Sequence, residues 1–168
     1  MSGLRNLIAV LLLFATPPAL AVMSGEESPL ERSFDTDYAD GKEAFLAENW
    51  SVAIAALEKV IARRPWHDNA HNMLGFSWRK LGNFDRALDH YDKALELNPR
   101  HRGALEYRGE AYLELGRVEE ASADFRRLTE ICAPVVTAAG NQSWESGCEE
   151  LTDLKEAFAE HGVPLPAK

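Results

Sequence analysis

The chain has 168 residues, enough for one domain with a core and too few for two large ones. Apolar residues make up 46% and the formal net charge is −9, a globular composition without the clustered basic face of a nucleic-acid binder. The acidic balance favours solubility and cationic partners and leaves the fold open.

The N-terminus reads as a targeting segment. Arg5 is the only charged residue before Glu26, and Leu7 to Phe14 is apolar throughout. Pro17-Pro18 then breaks any helix, and Ala19-Leu20-Ala21 places small residues two apart. A positive start, a short apolar core and an A-x-A site predict a signal peptide over 1–21, cleaved after about Ala21. An uncleaved anchor is the alternative, but the run is short for a span of about 20 residues. Cleavage removes Arg5 and no acid, so the mature charge is −9 − 1 = −10. The expected location is the periplasm, with no membrane span after cleavage. Residues 22–33, with Gly25 and Pro29, predict a flexible leader.

A repeat governs the next hundred residues. Gly41, Gly75 and Gly109 are spaced by 34, as are Ala53, Ala87 and Ala121, and the bulky Leu57, Tyr91 and Phe125. Pro65 and Pro99 keep the same period, Pro134 falls one residue late, and Leu81-Gly82 recurs as Leu115-Gly116. Each unit predicts two amphipathic helices. In the middle unit Leu74, Trp78 and Leu81 share one face, and Leu88, Tyr91 and Leu95 share another. Gly82-Asn83 turns the chain between them, and Asn98-Pro99 ends the second helix. Gly75 and Ala87 fall where the two helices must cross closely. The units lie at 34–67, 68–101 and 102–133, and neighbours must stack to bury their apolar faces.

Residues 134–147 predict a loop, with Gly140 and Trp144. Its Asn141-Gln142-Ser143 matches a glycosylation acceptor and is read simply as loop. Ser146-Gly147-Cys148-Glu149 matches a capping box, and Leu151, Leu154 and Phe158 form one stripe, predicting a cap helix over 148–162 and a tail over 163–168. Cys132 and Cys148 are the only cysteines; in an exported chain they predict one disulfide, with two reduced thiols as the alternative.

The middle unit, through Leu74-Gly75, Trp78, Ala87, Tyr91, Ala94 and Pro99, resembles a tetratricopeptide repeat. Arg108-Gly109, Tyr112, Ala121 and Phe125 make the third unit similar, while Asp40 and Ala44 make the first atypical. The resemblance implies an all-α fold: a right-handed superhelical solenoid of three helix-turn-helix units plus a capping helix. It also implies a concave groove lined by the first helix of each unit. Carried over step by step, that groove would present Tyr38, Lys42, Phe45 and Leu46, then Asn69, Asn72, Phe76 and Arg79, then Glu106, Glu110 and Leu113. It would run from apolar through polar and basic to acidic, suiting an extended or helical peptide of mixed charge. Solvated helix faces are the plainer reading of the same residues. Some family members clamp a C-terminal carboxylate with lysine and asparagine; Tyr38 and Met73 occupy two of those steps here and break that pattern.

The implied function is an exported interaction scaffold that binds a peptide or partner protein during an envelope process, with no cofactor. Two alternatives stay open. A copper- or zinc-binding accessory protein could use His67, His71 and His101, against a reading of three surface histidines. A self-assembling array would be a homo-oligomer. His90 and His161 are expected to face solvent. Trp66 is expected to cover the seam between units, with a partner contact as the other option. No G-x-S-x-G elbow or glycine-rich phosphate loop is present, so no enzyme is expected.

Overall fold

The computed structural model describes residues 29–133, 135–136, 142–143 and 148–167, with side chains from Thr36. The expected signal peptide, most of the expected leader, and Gly140, Trp144 and Ser146 lie outside the described residues. Six helices pair as three hairpins: α1 (Pro29–Leu46) with α2 (Trp50–Arg63), α3 (Asp68–Lys80) with α4 (Phe84–Leu97), and α5 (Arg102–Glu114) with α6 (Val118–Ile131). Each hairpin stacks on the next through α2 on α3 and α4 on α5, and α7 (Glu149–Glu160) packs on α5 and α6. The fold is an all-α solenoid. Among the described residues its one departure is a two-residue antiparallel ladder, β1 (Val135–Val136) with β2 (Gln142–Ser143), inside the segment expected to be loop. α1 starts at Pro29, within the expected leader, because proline is tolerated in a helix's first turn.

Gly41, Gly75 and Gly109 permit the close crossings, a Cβ on Gly41 coming within 2.9 Å of Leu57. A Cβ on Gly75 would come within 2.6 Å of the Tyr91 ring and 3.1 Å of the Ala87 carbonyl oxygen. Tyr91 and Ala87 are both fully buried there. On Gly109 the nearest atom would belong to Leu154 of α7, at 2.9 Å, so α7 is seated as closely on α5 as the paired helices are on each other. The core runs without interruption into α7: Leu154 and Phe158 are fully buried, as are Leu105 and Leu128, and cluster with the buried Phe125. Cys132 and Cys148 form a disulfide, Cα atoms 5.9 Å apart, joining the end of α6 to the start of α7. Cys148 itself is the N-cap of α7, without a side-chain capping bond, so the helix begins after the expected capping box rather than within it.

The turns within hairpins repeat one device. Asn83 N–H donates to the Trp78 carbonyl and Arg117 N–H to the Tyr112 carbonyl, each across a left-handed glycine, Gly82 at φ 75° and Gly116 at φ 69°. The first hairpin makes the same bond, Asn49 N–H to the Ala44 carbonyl, but the left-handed residue is Glu48 at φ 56°. A residue with a Cβ pays a steric cost there of roughly 1–2 kcal/mol. Glu48→Gly is therefore expected to stabilise the protein by roughly 1 kcal/mol, less the glycine's greater entropy when unfolded, measured as a higher urea midpoint. Leu81, expected on the packed face of its helix, is instead the C-cap just before Gly82 and is 48% exposed; Leu115 repeats this before Gly116 at 41%.

Candidate peptide-binding cleft

The first helices of the second and third hairpins and α7 enclose a cleft of about 470 Å³. α3 contributes Phe76, Arg79 and Lys80; α5 contributes Glu106, Tyr107, Glu110 and Glu114; α7 and its C-cap contribute Asp153, Glu156, Ala157, Glu160 and His161. Aromatic rings extend one wall away from the acids. Phe76 meets Tyr107 edge-on with centroids 4.6 Å apart, and Phe45 and Trp50 lie 5.1 Å and 5.5 Å from Phe76.

Arg79 organises the floor. It is buried, donates to the Tyr107 carbonyl at 3.1 Å, and its Nη1 is 2.5 Å from Glu110 Oε2. Its Nε lies 3.1 Å from Glu114 Oε1 as an ion pair without hydrogen-bond alignment. The guanidinium thereby holds two carboxylates of α5 in place. Glu106, one turn before Glu110, is 5% exposed and has no hydrogen bond or ion pair among the described residues. Burial, then the nearby Glu110, Asp153 and Glu150, push its carboxyl up to about 9.

That shift links the cleft to stability. The unfolded carboxyl ionises near 4.5, so between there and about 9 only the unfolded chain sheds the proton. Stability falls as pH rises through this window. Glu106→Gln removes the penalty and should raise stability at pH 7.5 by on the order of 2 kcal/mol, with no gain at pH 4. Thermal melts at both values would check it; an equal effect at both would refute it.

The carried-over groove residues do not all meet. Phe76, Arg79, Glu106 and Glu110 line the cleft. Phe45 joins through the aromatic wall and Lys42 is exposed on α1. Leu46, 71% exposed, ends α1. Tyr38 packs against His67, centroids 4.6 Å apart. Asn72 is buried, and Asn69 borders a separate hollow at the turn before α5. Leu113 is 4% exposed in the core shared with α7, so it presents no surface. The basic middle of the expected groove is also absent in effect, since Arg79 is spent on Glu110 and Glu114. The sequence reading missed Tyr107 and the α7 acids, although Asp153, Glu156 and Glu160 recur at i, i+3, i+7 opposite the Leu154 and Phe158 stripe.

The histidines have other employment. His67 and His101 are the N-caps of α3 and α5: Ala70 N–H and Ala104 N–H donate to their Nδ1 atoms at 3.1 Å. His71 is buried, with Nε2 on the Pro65 carbonyl and Nδ1 on His90 Nδ1, both at 3.1 Å. His90 is thus half-buried rather than solvent-facing, and burial beside His71 pushes it down to about 4. His67, His71 and His101 do not converge, and no group of three or more metal-ligating side chains occurs among the described residues. Trp66 is 66% exposed and covers no seam.

Helix hairpins stacked into an open array, with a cleft on the face of their first helices, define an α-solenoid of the binding-scaffold class. A tetratricopeptide-repeat profile matches residues 38–99 and 77–135, and the chain belongs to the tetratricopeptide-repeat family. Proteins of this family are in general non-catalytic scaffolds. No curated protein matches the sequence. Among solved structures, one of MamA is 26% identical with a TM-score of 0.55, over 58% of this chain and 56% of that one. This chain thus spans about half of MamA. The TPR2B domain of yeast Sti1, solved as a complex with pHsp70, is 20% identical with a TM-score of 0.64, over 77% of this chain and 98% of that one. The first TPR of Spaghetti, bound to the HSP90 peptide SRMEEVD, is 22% identical with a TM-score of 0.58, over 76% and 94%. The latter two likenesses concern the fold. Among the described residues no helix is long and apolar enough to cross a membrane.

Proposed function

We propose that this protein is an exported, periplasmic scaffold of three tetratricopeptide repeats that holds a segment of a partner protein in the cleft between α3, α5 and α7. The observation that carries the reading is the cleft itself: an aromatic wall continuous with a carboxylate floor, open to solvent and built on rigid helices. Recognition of a peptide needs such pairing of apolar anchoring with fixed polar groups. The Sti1 and Spaghetti domains were solved with peptide or protein ligands, which is consistent with this use of the fold.

The test compares three proteins as baits in an extract of the native envelope: the wild type, Phe76→Ser in the aromatic wall, and Glu96→Ala on the exposed side of α4. Phe76 is only half-buried and Glu96 is exposed, so both variants should fold. A partner retained by Glu96→Ala and lost by Phe76→Ser supports the cleft. Equal retention by both moves the binding surface elsewhere. Export is tested separately by N-terminal sequencing of the mature protein, expected to begin at Val22.

A further inference from the structure

Resting on the cleft reading above, we infer that the α5–α7 end of the cleft accepts a cationic side chain, lysine or arginine, of the bound peptide, with the buried Glu106 carboxylate as its counter-ion. The charge balance points one way. Glu110, Glu114, Asp153, Glu156 and Glu160 surround the opening, while Arg79 is neutralised within the fold and only Lys80 and His161 remain on the cationic side. Lys80 extends over the Phe76 ring, Nζ 5.1 Å from its centroid, toward the aromatic end.

An acidic rim alone would be an ordinary solvated surface. Glu106 makes the difference. Glu106 is a buried residue, 5% exposed, whose carboxyl faces the open cleft; a side chain so buried normally has a partner, and this one has none among the described residues. Arg79 is close enough to influence it but is committed to Glu110 and Glu114. A long cationic side chain suits the site because its stem can lie along the Phe76 and Tyr107 rings while its head reaches Glu106. A compact anion would meet carboxylates from α5 and α7 and be repelled.

The arrangement couples binding to a proton. The groups facing Glu106 are Arg79 of α3, Glu110 of its own helix, and Glu150 and Asp153 of α7. Without ligand, burial first and then the three acids, against the opposing Arg79, keep the carboxyl protonated at neutral pH. An entering ammonium or guanidinium favours the carboxylate, so the proton leaves to solvent as the ion pair forms. Affinity should therefore rise with pH below about 9, by up to tenfold per unit.

The test is isothermal titration of the mature, disulfide-intact protein with a blocked six-residue peptide of alternating lysine and alanine, against the same peptide with glutamate for lysine. Expected are at least tenfold tighter binding of the lysine peptide at pH 7.5, a loss of at least tenfold at pH 5.5, and release of up to one proton, read from the dependence of heat on buffer. Glu106→Gln should weaken binding at least tenfold and abolish the proton release. Asp153→Asn with Glu156→Gln, both exposed, should weaken binding while keeping the proton release. Indistinguishable lysine and glutamate peptides would overturn the inference. So would wild-type binding unaltered in Glu106→Gln, or calcium that binds the wild type and displaces the peptide. If Phe76→Ser still loses its native partner in those cases, the cleft reading stands and only the cationic occupant is wrong; if it does not, both fail.

Discussion

Arg108→Ala is expected to cost the fold about 3–5 kcal/mol, seen as a large fall in the urea midpoint of the disulfide-intact protein. Arg108 donates from Nε to Asp124 Oδ2 at 2.8 Å and from Nη2 to Oδ1 at 2.6 Å, a bidentate pair between α5 and α6. Its Nη1 reaches Asp92 of α4 at 2.5 Å, which ties the second hairpin to the third. The two acids differ in consequence. Asp92 is exposed and would simply rehydrate, a contribution of 1 kcal/mol or less. Asp124 is 3% exposed, so removing Arg108 leaves a buried charge with no hydrogen-bonded counter-ion, only the longer-range Arg127. The penalty comes from stranding Asp124, and an apolar replacement of both partners should therefore recover most of it. Arg108→Met with Asp124→Leu is expected within about 1.5 kcal/mol of wild type. A cost below about 1 kcal/mol for Arg108→Ala would mean that water reaches Asp124 and that the pair is no buried bridge.

The period marks the positions of that pair but not the pairing. Arg108 occupies the step of Leu74, and Asp124 the step of His90, each 34 residues on. The same arithmetic places His90 at a step whose other occupants, Ala56 and Asp124, are buried, which the polar neighbours Asp89 and Asp92 obscured. Periodicity also located the close crossing at Gly75, because a 34-residue glycine opposite a 34-residue alanine has few other uses. It misjudged Leu81 because the C-cap residue before a left-handed glycine, as at Leu115 too, turns off the packed face. The cleft was half legible for a different reason. Phe76, Arg79, Glu106 and Glu110 follow from the repeat, but what they do depends on α7, whose seating on α5 no internal period fixes. α7 buries Leu113, crowds Glu106 with Asp153 and Glu150, and supplies the acidic wall. A repeat predicts contacts between like units; a terminal helix that differs from them must be placed by its own apolar stripe.

Phe158→Ala should be the most disruptive change in α7, costing about 3–5 kcal/mol. Phe158 is fully buried, its ring edge-on to Phe125 of α6 at 5.4 Å, and it shares a cluster with Leu128 and Leu154. Removing the disulfide by Cys132→Ser with Cys148→Ser should cost about 3 kcal/mol, since the bridge closes a short loop between α6 and α7. The two losses act on one element and should not add. With the bridge intact, α7 remains tethered beside its site and can re-dock after each local opening. Without it, Phe158→Ala leaves α7 held mainly by Leu154 and by half-buried pairs such as Arg102 with Glu150, N to O 3.4 Å. The triple variant is therefore expected to lose hydrogen-exchange protection across α7 first, while α3 and α4, packed on each other, keep theirs. Because Asp153, Glu156 and Glu160 leave with α7, the acidic half of the cleft would go before the solenoid unfolds. Simultaneous loss of protection in α7, α3 and α4 would instead make α7 an inseparable part of one cooperative unit, fixed as firmly as any helix of the repeats.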